Sequence, residues 1–166
     1  IGFCPGAEFG PAKRWPHYHY AELAKQLIDE GYQVVLFGSA KDHEAGNEIL
    51  AALNTEQQAW CRNLAGETQL DQAVILIAAC KAIVTNDSGL MHVAAALNRP
   101  LVALYGPSSP DFTPPLSHKA RVIRLITGYH KVRKGDAAEG YHQSLIDITP
   151  QRVLEELNAL LLQEEV

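Results

Sequence analysis

The sequence predicts an α/β domain built on a doubly wound parallel sheet, and three observations carry that prediction. Short apolar runs without clean polar alternation recur along the 166 residues, the mark of strands covered on both faces. Amphipathic stretches of helical spacing separate them, so strands and helices alternate. Gly and Pro punctuate the joints: Gly31 stops a helix, Gly38-Ser39 turns the chain and Gly106-Pro107 closes a strand.

In order, Ile1 to Cys4 is an apolar start that reads as a strand already under way, and a Gly/Pro-rich loop follows from Pro5 to Pro16. Tyr18 to Glu30 is a helix with Leu23, Leu27 and Ile28 on one face. Gln33 to Phe37 is a buried strand, and Asp42 to Leu53 a helix with Ile49, Leu50 and Leu53 apolar. Trp60 to Leu64 is a short strand. Leu70 to Ala79 is a helix whose inner face is read from Leu70, Val74 and Ile77. Ala82 to Thr85 is a strand, and Leu90 to Leu97 is the helix that follows it. Pro100 to Tyr105 is a strand, a Pro/Ser-rich loop runs from Pro107 to Pro115, and Ala120 to Ile126 is the last strand. Thr149 caps a final helix reaching about Leu162, with Pro150 at its first position. The polar segment from Gly128 to Gln143 reads as a loop. The fold class is therefore a Rossmann-like α/β domain, residues 1-166, with no internal repeat.

Composition narrows the function. Hydrophobic residues make up 47% and charged residues 20%, ordinary for a soluble globular domain. A net charge of -5 favours neither nucleic acid nor a membrane surface. No apolar run approaches the roughly 20 residues of a membrane span. Three dispersed cysteines, Cys4, Cys61 and Cys80, form no metal or disulfide pattern and fit a reducing compartment. The chain opens inside a strand without an initiator methionine or a signal peptide, so we expect a domain excised from a longer, two-domain chain.

The chemistry concentrates in Thr85-Asn86-Asp87-Ser88-Gly89-Leu90-Met91-His92, where a strand gives way to a helix. Free N–H groups and the positive end of the helix dipole meet at Ser88 and Gly89, which suits a phosphate. Asp87 stands beside them at a strand's carboxyl end, where open α/β sheets bind ligands. An anion cradle beside a carboxylate suits a nucleotide-sugar. His92, one helical turn on, is either a phosphate donor or a polar core histidine. Lys13, in the first loop, is either a cation for a diphosphate or, with Arg14, half of a solvated Lys-Arg pair beside a packed Trp15. Asp42 either holds ribose hydroxyls or, with Ser39, caps its own helix. Tyr105-Gly106-Pro107 either lines the same crevice or is an ordinary turn. His17-x-His19 lacks further ligands at metal spacing and makes a weak metal site. Neither GxGxxG, a Walker loop nor GxSxG is present, and Ser88 has no convincing base.

Four blocks in this order, Pro5 to Pro16, Gly38 to Asp42, Asn86 to His92 and Tyr105 to Pro107, resemble the lipopolysaccharide heptosyltransferases of glycosyltransferase family 9. The resemblance implies the C-terminal, donor-binding half of a GT-B enzyme, which is inverting and transfers heptose from ADP-L-glycero-D-manno-heptose to the lipopolysaccharide inner core. It implies a cytoplasmic location at the inner face of the inner membrane, with at most peripheral membrane contact and no nucleic acid. By motif position it assigns the donor to Lys13, Asp42, Thr68, Asp87, Ser88, Gly89, Leu90 and His92, with Thr68 against the adenine and Asp87 on the heptose. Gly6 and Ala7 fall in the phosphate loop, and Met91 within the cradle motif. The catalytic base is expected in an N-terminal domain outside this chain. No DxD triplet is present, so the sequence implies no Mg²⁺ requirement and no cofactor beyond the donor ADP-heptose. The rival readings are a nucleotide-binding module and another GT-B sugar-nucleotide enzyme, such as an epimerase.

Overall fold

The computed structural model describes residues 1–8, 10–128 and 139–165. Among these residues six strands form one sheet: β1 (Gly2–Cys4), β2 (Val34–Leu36), β3 (Cys61–Asn63), β4 (Ile83–Asn86), β5 (Leu101–Tyr105) and β6 (Ala120–Arg124). Their order is β3-β2-β1-β4-β5-β6, and every neighbouring pair is parallel. Parallel strands cannot be joined by hairpins, so helices cross over between successive strands from β1 to β5, a helix-free loop joins β5 to β6, and both faces are covered. The expected doubly wound class is thus the observed one.

The helices are α1 (His17–Asp29), α2 (His43–Ala51), α3 (Thr55–Gln58), α4 (Leu70–Ala79), α5 (Gly89–Ala96), α6 (Gln143–Ile146) and α7 (Pro150–Glu164). One face of the sheet carries a core in which Leu23 and Leu27 of α1 pack with Ile49 of α2 and Leu154 and Leu157 of α7. The other face carries Ile77 of α4 and Met91 and Ala94 of α5, packed with Phe37 and Tyr105. Gly31, at φ 96°, ends α1 in the left-handed region, which a side chain would oppose. Thr149 accepts from the Arg152 N–H at 3.2 Å and caps α7 as expected.

Three differences from the sequence reading have physical causes. The expected Asp42–Leu53 helix starts as a 3₁₀ turn (Ala40–Asp42) and becomes α-helical at His43, because Ser39 and Asp42 close a capping box at the turn. The face of α4 is built on Ala73 and Ile77, whereas Leu70 is 67% exposed. Spacing marks a stripe, and the neighbours decide which end of the stripe is covered. The short helices α3 and α6 were absent from the sequence reading, since four residues contain too little period to detect. Most of the expected Gly128–Gln143 loop lies outside the described residues.

Candidate functional site

The chain winds outward from β1 to β3 and returns to place β4 beside β1. At this switch point the loops leaving β1 and β4 diverge, and a crevice opens beyond the carboxyl ends of the strands. The two loops are those that carry the sequence motifs.

The β4 loop is short. Asn86 ends the strand, Asp87 and Ser88 turn the chain, and α5 begins at Gly89. Ser88 is the N-cap: its Oγ accepts from the Met91 N–H at 3.4 Å. A Cβ placed on Gly89 would meet nothing within 4 Å, so this helix start is open to a ligand. Asp87 faces Thr113, whose Oγ1 donates to Oδ2 at 3.0 Å. Tyr105 steadies Thr113 from below by donating to its carbonyl.

Among the described residues of the β1 loop, the 3₁₀ turn Pro11–Lys13 is the regular structure. It is held from outside by Asn86, which is wholly buried. The Asn86 Nδ2 donates to the carbonyls of Pro5 at 2.7 Å and Gly6 at 3.3 Å. Its Oδ1 accepts from the Trp15 N–H at 3.0 Å and the Tyr20 hydroxyl at 2.9 Å. One carboxamide thus fastens both ends of the β1 loop to the end of β4. The Trp15 indole N–H donates to the Ile148 carbonyl at 2.8 Å, which ties the loop to the segment before α7.

Two cavities meet between these loops. The larger, about 620 Å³, has Phe37, Leu70, Leu90 and Val93 on its apolar walls and Asp42 and Arg14 among its polar groups. Gly6 and Ala7 also border it. The smaller, about 220 Å³, is lined by Lys13, Asp87, His92 and Thr113. Glu8, Ser88 and Gly89 border both, so the helix start is the junction. The Asp42 Oδ2 accepts from the Ser39 N–H at 2.9 Å and from Ser39 Oγ at 3.1 Å. The capping role is therefore real, and the same carboxylate also lines the larger cavity. A Cβ on Gly6 would lie 2.2 Å from the Asp42 Oδ1, so glycine is needed there to let the carboxylate in.

The structure brings Lys13, Asp87, Ser88, Gly89 and His92 together at the smaller cavity, and Asp42, Leu90, Gly6 and Ala7 at the larger. His92 is exposed, which removes the core-histidine alternative. Thr68 lies in the bend before α4 and lines neither cavity. Met91 is corrected: its side chain is buried in the core with its sulfur 3.2 Å from the Tyr105 hydroxyl, because the inner face of α5 packs on the sheet. Tyr105 is likewise core and reaches the crevice only through Thr113. The two histidines of His17-x-His19 turn to separate partners. His17 Nδ1 lies 2.7 Å from the Tyr141 hydroxyl, and His19 Nε2 donates to the Ile146 carbonyl at 2.7 Å. Among the described residues no group of three or more metal-ligating side chains gathers anywhere. Cys4 borders the larger cavity, but burial pushes its thiol up to about 12, so it is no nucleophile.

Asn86, Glu8 and Thr113 have no role of their own in the sequence pattern, and Arg14 figures there only as half of a solvated Lys-Arg pair. Asn86 falls in the Asn86–His92 block and Glu8 and Arg14 in the Pro5–Pro16 block, whereas Thr113 falls in none of the four.

The sequence profile described as glycosyltransferase family 9 (heptosyltransferase) matches residues 1–142. The chain is 93% identical over 166 residues to the lipopolysaccharide heptosyltransferase 2 of Salmonella typhimurium, covering 100% of this chain and 48% of that protein. It is 70% identical over 162 residues to the lipooligosaccharide heptosyltransferase 2 of Haemophilus influenzae, covering 97% and 47%. The solved structure of the E. coli ADP-heptose lps heptosyltransferase II superposes with a TM-score of 0.93 at 93% identity, over 100% of this chain and 47% of that one. The chain therefore spans about half the length of these relatives.

Proposed function

The chain belongs to glycosyltransferase family 9, the heptosyltransferases, and on that footing we propose that its crevice is the donor site of an enzyme transferring heptose from ADP-L-glycero-D-manno-heptose to the inner core of lipopolysaccharide. The observation that carries this reading is the pair of unlike cavities joined at a helix start. A nucleoside diphosphate sugar has the same order of parts. Its nucleoside has a flat apolar base and a hydroxylated ribose, which suit the larger cavity with Phe37, Leu70 and Asp42. Its diphosphate suits the Ser88-Gly89 amides and the positive end of the α5 dipole. Its sugar suits the smaller cavity, where Asp87, Lys13 and His92 offer one acceptor and two donors.

Inverting transfer needs a base on the acceptor hydroxyl and stabilisation of the diphosphate that leaves. This domain supplies the second. As the bond from the anomeric carbon to the β-phosphate oxygen lengthens, charge builds on that oxygen. The α5 amides would stabilise that charge with little reorganisation, with Lys13 and His92, which line the same cavity, as further donors. Thr113 holds the Asp87 carboxylate by one oxygen and leaves the other for sugar hydroxyls. The base and the acceptor are assigned to an N-terminal domain of the same enzyme, outside these 166 residues. No helix of the described residues is long and apolar enough to cross a membrane. Because ADP-heptose is a cytoplasmic metabolite in this reading, the site works in the cytoplasm at the inner face of the inner membrane. Donor binding is proposed to need no metal ion.

Asp87→Ala tests the assignment by calorimetric titration. It should weaken ADP-heptose binding about tenfold or more while changing ADP binding little, because its contacts are to the sugar. Equal losses for the two ligands would contradict that role.

A further inference from the structure

Arg14 lies between two residues that are already accounted for, Lys13 at the smaller cavity and the buried Trp15. Its backbone is extended, at φ -106° and ψ 135°, and its N–H bonds to the Pro11 carbonyl at 3.0 Å. With Trp15 fastened by Asn86, the direction in which the Arg14 side chain leaves the loop is set. That side chain lines the larger cavity and is only 21% exposed.

There its guanidinium is poorly partnered. Its Nη2 reaches the Ala7 carbonyl at 3.5 Å and the Asp42 Oδ1 at 3.6 Å. Both are too long to be strong, and a guanidinium prefers a short, two-pronged contact with a carboxylate. Its Nε is fully buried and has no hydrogen-bond partner among the described residues. Buried donors are rarely left so, because the lost hydration is not returned. Asp42 has the complementary deficit. Oδ2 is occupied by the two Ser39 donors, while among the described residues Oδ1 has only the distant Arg14. Gly6 and Gly38, each of which would clash with Asp42 if it had a Cβ, leave the carboxylate room at that place.

A hydroxyl group fits between such a pair, since it donates to a carboxylate and accepts from a guanidinium at once. The geometry points to Arg14 as the second jaw of a ribose clamp, donating to the hydroxyls whose protons Asp42 Oδ1 accepts. This inference rests on the reading that the nucleoside occupies the larger cavity. It makes Arg14 a specificity-determining residue for ribose over deoxyribose, because a missing hydroxyl leaves both charged groups unsatisfied. It also separates the work of the two neighbours, with Lys13 serving the phosphate and sugar and Arg14 the ribose.

The test is titration of the protein and of its Arg14→Met and Arg14→Lys variants with ADP, 2′,3′-dideoxy-ADP and inorganic pyrophosphate, with melting temperatures as the check on folding. The parent should prefer ADP to the dideoxy analogue. Arg14→Met should lower ADP affinity about tenfold or more and the dideoxy affinity much less, with pyrophosphate unchanged. Arg14→Lys should keep the fold and recover only part of the preference, since a point charge lacks the fork. In an Asp42→Asn background, Arg14→Met should still lower ADP affinity; no further loss would mean Arg14 acts only through Asp42 and would overturn the direct contact. Equal losses of ADP and dideoxy-ADP, or a loss of pyrophosphate binding, would place Arg14 on the phosphates instead. A parent that binds ADP without ribose preference would sink the clamp alone, whereas a parent that binds no ADP would sink the donor-site reading beneath it.

Discussion

The two loops that face each other across the β1–β4 switch point are built in opposite ways. The β4 loop is local: Ser88 caps the helix that follows it, and Gly89 stands in the open. The β1 loop depends on distant residues. Its carbonyls at Pro5 and Gly6 and its N–H at Trp15 are satisfied by Asn86, and its turn at Gly6 packs against Asp42. The comparison teaches that one residue beside the β4 cradle carries the architecture of both. Asn86 places the β1 loop over the crevice, while its neighbours Asp87, Ser88 and Gly89 face the ligand.

The sharpest way to break this contrast is Asn86→Ala. It strands two carbonyls, the Trp15 N–H and the Tyr20 hydroxyl in the interior. Stability should fall by about 3 kcal/mol or more in urea unfolding, because unpaired buried groups retain their full desolvation cost. Loss of less than about 1 kcal/mol would mean that the β1 loop holds itself. Next in size is Gly6→Ala, whose Cβ would collide with the Asp42 carboxylate at 2.2 Å. It should cost about 1–3 kcal/mol and weaken ADP binding with it. Gly89→Ala, in the open loop, should stay within about 0.5 kcal/mol of the parent in stability. Ser88→Ala removes a cap and nothing more distant, so about 1 kcal/mol is expected in the same unfolding assay.

The smallest effect is a pH slope. Burial lowers the His19 pKa below its ordinary 6.5, and the Ile146 carbonyl only partly offsets this. The unfolded chain therefore takes up this proton first as pH falls. Neutral His19 contributes stability that is intact above 6.5 and declines through the window between 6.5 and its lowered folded value. His19→Gln should flatten that decline in a series of melting curves, and an unchanged slope would assign it to other groups.

What could be read in the sequence follows the same division. The strands, α1, α4, α5 and α7 are legible because each shows its pattern of apolar and punctuating residues within its own few residues, although the strands' partners in the sheet lie far along the chain. The Asn86 bracket is not legible, because its partners lie 66 to 81 positions away. Leu70 was read as core from its spacing, yet it borders the larger cavity, and no local pattern distinguishes a wall of a cavity from a wall of the core. Asp42 left two readings open, and the structure gives the carboxylate both surroundings, one oxygen in the capping box and one toward the cavity. Met91 shared a motif with its neighbours but faces the sheet, since a helix turns its successive side chains to different sides.

The central claim is that the two cavities hold the two ends of one ligand. Calorimetric titration with ADP-heptose, ADP and UDP-glucose, each with and without EDTA, tests it most directly. The account predicts tighter binding of ADP-heptose than of ADP, little binding of UDP-glucose, and no change with EDTA. Equal affinity for ADP and ADP-heptose would contradict it by showing that the smaller cavity does not engage the sugar, and abolition by EDTA would contradict a metal-free donor site.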